Sequence, residues 1–252
     1  MFPYRGLISS DWSECLCPSG PFDFMVYVYP QLESELSDIF RQYTSNQISL
    51  RVAMWRCQRR LPAPITQEQM DAYLDKRFVH YTGVPELMES CLSKNILFMV
   101  NTTGSHGYFE RAIAKKLLPC PTALSAHPDI NFGTGTGDAY AFFPLYEITD
   151  KPINTDKVAR QFQIPPQHII VVGDSGGDGP HFKWAAEQHA YGVASMAKHS
   201  LRTYCQDRQI GIDRFFGLSY EAGEPRREAD EMRVDFREMA LVVDEYLSAC
   251  QT

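Results

Sequence analysis

Three short, largely apolar runs punctuate the chain, and each ends in polar residues. Gly6 to Ser10 runs into Asp11, Ile96 to Asn101 into Thr102-Thr103-Gly104, and Ile169 to Gly173 into Asp174. Continuous runs of this kind suit strands covered on both faces. After the second and third runs the period becomes helical, through Tyr108, Phe109, Ala112, Ile113 and Leu117 in one case and Phe182, Ala185 and Ala186 in the other. The alternation predicts an α/β fold, a Rossmann-like parallel sheet with helices on both faces. Ligands of such sheets bind beyond the carboxyl ends of the strands, where all three polar clusters fall.

The stretch between the first two runs is far longer than the ~10–12 residues a crossover needs. Leu32, Leu36, Ile39, Phe40 and Tyr43 make one helical face. Thr66 and Gln69 form a capping box ahead of a second face, Met70, Leu74, Phe78 and Tyr81, and Pro62 and Pro64 break the chain between them. The reading is a small helical cap over residues 18–81 inserted into a core made of residues 1–17 and 82–252. Val84 to Ser93 is the helix leading back into the sheet. Around residues 121–149, Gly133, Gly135 and Gly137 between Phe132 and the Tyr140-to-Tyr146 run suggest a β-hairpin or flap. A phosphate-cradling glycine loop is the alternative there, although no Gly-Lys-Ser/Thr follows. Met232, Phe236, Met239, Val243 and Tyr246 predict a terminal docking helix.

A chain of 252 residues, 44% hydrophobic, can bury a full core plus a lid. The net charge of -7 argues against nucleic acid as a partner. No window approaches a membrane span and the start lacks a signal-peptide pattern, so the expectation is a cytoplasmic protein, a monomer or homodimer, with no membrane partner. The seven cysteines show no CxxC pair and no zinc spacing, which points to reduced thiols.

Phosphoryl transfer to an aspartate requires a carboxylate nucleophile, a metal to neutralise phosphate, a cation to hold its oxygens and a hydroxyl to steady them. The chain offers these in order: Asp11 after the first strand, Thr103 after the second, Lys151 ahead of an amphipathic helix, and Asp174 with Asp178 after the third strand. Each has an ordinary alternative, since a lone Asp after a strand is commonly a turn or cap residue and a lone Lys is commonly solvated.

Their order and settings resemble the haloacid dehalogenase-like hydrolases, nearest to phosphoserine phosphatase-like members with a helical cap. The segments Ile8-Ser9-Ser10-Asp11-Trp12-Ser13, Val100-Asn101-Thr102-Thr103-Gly104-Ser105, Lys151 with Val158, Phe162 and Ile164, and Val171-Val172-Gly173-Asp174-Ser175-Gly176-Gly177-Asp178 carry the resemblance. It implies Asp11 as nucleophile and Thr103, Gly104 and Lys151 around the substrate phosphate, with Thr102, Ser105 and Lys157 in reserve. It also implies Mg2+ held by Asp11, Asp174, Asp178 and the backbone carbonyl of Ser13. The implied activity is hydrolysis of a phosphorylated small molecule through an aspartyl phosphate.

The chain departs from the pattern at Ser13, where the family's phosphatases carry the acid/base Asp; a hydroxyl supplies no pKa near neutrality, and Glu14 is the nearby substitute. The departure leaves open an alternative, an impaired member of the same fold that binds a phosphorylated ligand or a protein. The segment Gly173-Asp174-Ser175-Gly176-Gly177 also looks like the nucleophile stretch of trypsin-like proteases, but the flanking strand and helix do not suit paired β-barrels. Trp12, Trp55, Arg56, Arg59 and Arg60 are candidates for choosing the substrate, and His106 and His181 lie beside the second and fourth segments.

Overall fold

The computed structural model describes residues 4–44, 47–133 and 139–250. Its frame is a seven-stranded, all-parallel sheet of order β4-β3-β2-β1-β5-β6-β7. The strands are β1 (Gly6–Ser10), β2 (Ile96–Ser105), β3 (Ala123–His127), β4 (Ala141–Pro144), β5 (Ile169–Gly173), β6 (Tyr191–Ala197) and β7 (Arg214–Ser219). From β1 the chain first builds outward through β2, β3 and β4, then returns to β5 on the other side. This reversal opens a crevice between β1 and β5, the place where an open parallel sheet binds its ligand.

Side-chain alternation along the strands divides the core into two layers. Leu7, Leu97, Met99, Ile169 and Val171 pack against α7 (Asp150–Gln161), α8 (Gly179–Gln188) and α9 (His199–Asp207) through Val158, Phe182, Ala185 and Leu201. Ile8, Phe98, Val100, Ile170 and Val172 face the other way, towards α5 (Val84–Ser93), α6 (His106–Ala114) and α11 (Arg237–Ala249), preceded by the single turn α10 (Glu228–Glu231). The periodic C-terminal residues Met239, Val243 and Leu247 are buried there, and Phe236 stacks on Tyr81 at 5.6 Å.

Among the described residues, four α-helices fill the insertion between β1 and α5: α1 (Asp23–Val28), α2 (Glu33–Thr44), α3 (Leu50–Arg60) and α4 (Gln67–Arg77). The Thr66/Gln69 capping box opens α4. That helix stops at Arg77, so Phe78 and Tyr81 lie beyond it rather than on its face. Helix α3 has a plain signature, a Ser49 N-cap followed by buried Leu50, Ala53, Met54 and Cys57 at helical spacing, which arginines on its other face obscure.

Three expectations need correcting. The segment around 121–149 is not a hairpin, because β3 and β4 run parallel. The glycine-loop and flap readings there turn on Gly135 and Gly137, which lie outside the described residues. Strand β2 does not end at Asn101 but runs to Ser105, with its register against β3 shifting between Asn101 and Ser105. Lys151 stands inside the first turn of α7 rather than ahead of it.

Candidate active site

Asp11 is the first residue past β1. Its N–H donates to the Val172 carbonyl at 2.9 Å, and its Oδ1 accepts from the Trp12 N–H at 2.8 Å. Trp12 is buried edge-on to Phe109 at 5.7 Å and fixes the turn from below.

Lys151 enters the same space from α7. It is 2% exposed, with Nζ 2.6 Å from Asp178 Oδ1 and 3.2 Å from Asp11 Oδ2. A polar layer under the rim fixes its backbone: the Lys151 carbonyl accepts from Asn101 Nδ2 at 2.9 Å and from the Thr155 hydroxyl at 3.0 Å. Ser9 Oγ and His181 Nε2 lie 2.7 and 2.9 Å from Thr155 Oγ1. His181 therefore belongs to this support, and burial pushes its pKa down to about 3, leaving the ring neutral.

Asp178 organises the loop after β5. Its Oδ2 accepts from the N–H groups of Asp174 at 2.9 Å and Ser175 at 3.2 Å. Gly173 is required for this fold-back, because a Cβ there would lie 2.5 Å from Asp178 Cγ. With Oδ1 on Lys151 and Oδ2 on two amides, Asp178 is held far more tightly than its neighbours. The Ser175 side chain is tied into a capping box with Asp178, which leaves nothing of a serine-protease arrangement.

Lys198, directly after β6, had no place in the sequence reading. Its N–H donates to the Asp174 carbonyl at 2.8 Å, and its Nζ lies 2.6 Å from Asp174 Oδ2 and 2.5 Å from Glu14 Oε2. The signal that could have found it is the rule that revealed the others: a polar residue at the carboxyl end of an apolar run, here Val193 to Ala197. Glu14 adopts a left-handed backbone (φ 59) and its other oxygen accepts from Arg226 at 2.7 Å.

These contacts set the charge states. Burial raises the Asp11 carboxyl to about 6 although Lys151 pulls it down, and raises Asp174 to about 8 against the pull of Lys198. Burial also opposes ionisation of Glu14 and Asp178, but Lys198 with Arg226, and Lys151 with the loop amides, outweigh it and hold both below the usual carboxylate range. Lys151 and Lys198 stay protonated because their carboxylate partners more than offset desolvation.

The residues fit a small, oxygen-seeking dication. Ligand atoms of Asp11, Asp174 and Asp178 lie within 4.8 Å of one another. Asp174 Oδ1 is buried without a hydrogen-bond partner. Two adjacent ion-pair clusters, Asp11 and Asp178 around Lys151 and Glu14, Asp174 and Glu231 around Lys198 and Arg226, together set five carboxylates against three cations. A divalent ion matches that imbalance and the hard donor set.

Asp11, Ser13, Thr103, Lys151 and Asp174 line one cavity of about 130 Å³, closed on the insertion side by Phe40, Tyr43 and Thr44. Thr103 also meets the Tyr43 hydroxyl. The reserve residues lie elsewhere. Thr102 bonds the Gly104 N–H, and Lys157 contacts Asn154. Ser105 and Gly104 line a smaller neighbouring pocket with Trp12 and Tyr108. His106 pairs with Tyr140.

The suggested specificity residues do not reach the cavity either. Arg56 bonds Gln42, Arg59 lies over Trp55 and Arg60 pairs with Glu35, all around a separate surface groove between α2 and α3. Cys15 and Cys17 are buried free thiols, and burial pushes the Cys17 thiol up to about 12, so neither is reactive.

No protein-family model matches the sequence, and no curated protein matches it. Solved structures do. A phosphoserine phosphatase captured as an analogue of its phospho-aspartyl intermediate superposes with TM-score 0.64 at 16% identity, over 95% of this chain and 99% of that one. A substrate-bound phosphoserine phosphatase gives 0.65 at 15% identity, over 94% and 97%. A HAD family hydrolase from Salmonella enterica serovar Typhi gives 0.63 at 14% identity, over 86% and 69%. At such identities the likeness is one of architecture, and the chain has the fold of the haloacid dehalogenase-like hydrolases in the form that phosphoserine phosphatases display.

Proposed function

We propose that the protein is a Mg2+-dependent phosphohydrolase that removes phosphate from a small molecule through an aspartyl phosphate on Asp11. The observation that carries this is the convergence of Asp11, Thr103, Lys151 and Asp174 on one cavity at the β1/β5 crevice. Asp11 is the nucleophile, with its trajectory set by the Trp12 amide and by Lys151. Lys151 and the Thr103 hydroxyl hold phosphate oxygens, with Gly104 behind Thr103, and Asp178 keeps Lys151 aimed into the cavity. Asp11, Asp174, Asp178 and the Ser13 carbonyl would hold Mg2+, which when bound would neutralise charge on the phosphate. Residues 18–81 act as the cap over a core of 1–17 and 82–252, and Phe40, Tyr43 and Thr44 exclude water from the reacting phosphate.

One observation favours a second reading, a phosphate binder without turnover: Ser13 cannot act as acid or base, and Glu14 is bound to two cations. Phosphate release from a panel of monoesters in the presence of Mg2+ separates the two. Hydrolysis predicts release that Asp11→Asn abolishes. Tight vanadate binding with no release from any ester supports the binder.

A further inference from the structure

The cavity also constrains what leaves when the phosphate is transferred. Cleavage of an ordinary alkyl phosphate ester expels an alkoxide, and phosphatases avoid that by placing a proton donor beside the leaving oxygen. Among the described residues that line the cavity, the candidates for such a donor are already engaged, Asp174 by Lys198 at 2.6 Å and by its place among the metal-binding carboxylates. Ser13 is an alcohol. The Glu14 carboxylate is clamped between Lys198 at 2.5 Å and Arg226 at 2.7 Å. Lys151 is engaged with Asp11 and Asp178.

The remainder of the wall bears on the body of the leaving group. Pro21, Phe40, Tyr43, Thr44 and Ile148 supply one side and the Ser175-Gly176-Gly177 loop with Ser200 the other, none of them charged. The charged lining residues Asp11, Glu14, Lys151, Asp174 and Lys198 are paired with one another. No charged residue of the described lining is left without an ion-pair partner to neutralise a carboxylate or an ammonium on the substrate, and an unpaired charge buried in such a place is strongly disfavoured.

Resting on the function proposed above, we propose that the substrate is a phosphate ester of a phenol or an enol whose body is uncharged. The Asp11 oxygen forms a bond to phosphorus as the bond to the leaving oxygen breaks. The leaving group takes that electron pair and departs as a phenolate or enolate, which is protonated by solvent. Water then attacks phosphorus, the bond to Asp11 breaks, and phosphate and the Asp11 carboxylate are regenerated while the water proton passes to solvent. No proton donor is needed in the first step, because the leaving group is already a stable anion.

The test is kcat/KM with Mg2+ for p-nitrophenyl, phenyl and benzyl phosphate, which share a ring but differ in leaving-group acidity, and for phosphoserine, which carries both charges. The expected order is p-nitrophenyl above phenyl above benzyl. The first exceeds benzyl by roughly the 10²–10⁴-fold that general acid catalysis is worth, with phosphoserine lowest. Ser13→Asp should narrow the p-nitrophenyl-to-benzyl ratio. Turnover of benzyl phosphate within about tenfold of p-nitrophenyl phosphate, well short of that general-acid range, or a preference for phosphoserine, would overturn the inference and leave the proposed function standing. No release from any of the four would overturn both.

Discussion

The two halves of the cavity are built on opposite principles. The sheet rim is charged, buried and locked: Asp11, Asp174, Asp178, Lys151 and Lys198 reach their positions from three strand ends and a helix, each fixed by backbone hydrogen bonds as well as ion pairs. The insertion contributes a half-buried, uncharged surface, Phe40 and Tyr43 from α2, with no ion pair of its own facing the rim. The rim stores electrostatic free energy and suits one reaction. The insertion stores little and can change its side chains without disturbing that chemistry, so reaction type belongs to one half and substrate choice to the other.

The sharpest way to break this comparison is Lys151→Met, which keeps length and removes charge. It leaves Asp11 and Asp178 buried without their cation, a loss of about 3–5 kcal/mol in denaturant unfolding. It also lowers phosphate release by about 10²–10³-fold, the scale of losing one electrostatic contact to the transferring group. A variant as stable and active as the parent would mean that the rim is not an electrostatic unit.

A second test uses pH. Asp174 and Asp11, raised to about 8 and about 6, hold protons in the folded state that they lose when unfolded. In metal-free protein their contribution therefore falls as pH rises from the unfolded carboxylate range through those folded values. Asp178 and Glu14, held low, act in the opposite sense: their stabilisation is present above the unfolded range and is lost as pH falls through their folded values. Melting temperatures of the metal-free protein should decline from pH 5 to pH 8, and Mg2+ should raise them more at pH 8 than at pH 5, because binding requires the protons to leave. An equal Mg2+ effect at both values would contradict the assignment of Asp11 and Asp174 as its ligands.

How much of this was legible in the sequence follows the same division. Asp11, Thr103 and Asp174 follow apolar runs and Lys151 opens an amphipathic helix, patterns local enough to read, so β1, β5 and this set of residues are legible in the sequence alone. Lys198 escaped because the run before it, Tyr191 to Ala197, is rich in small residues and was not recognised as a strand. The short β4 was read as half of a hairpin because four residues carry no information about the direction of their partner. The insertion residues that face the site were the hardest. Phe40 and Tyr43 were read as an apolar face, but which part of that face meets the core and which meets the cavity depends on how α2 is set against the rim. The arginines of α3 attracted interest by their charge and proved to line a different groove.

Smaller effects are expected on the insertion side. Phe40→Ala should alter kcat/KM by about 10-fold, the worth of modest apolar contact in a pocket, and should reorder aryl substrates while leaving the Asp11 adduct chemistry intact. A loss as large as that of Lys151→Met would move Phe40 from substrate choice into the reaction itself. The smallest effect is predicted for Arg59→Ala, on the exposed face of α3 over Trp55: a stability change within about 0.5 kcal/mol and unaltered turnover. A marked loss of activity there would bring the α2–α3 groove back into the substrate path.

The most direct measurement is a crystal structure of the protein with Mg2+ and beryllofluoride, which mimics a phosphoryl group on a carboxylate. The account predicts the adduct on Asp11 Oδ, contacted by Lys151 and Thr103, with the ion between it and Asp174. An adduct on another residue, or none under conditions where the protein releases phosphate, would contradict it.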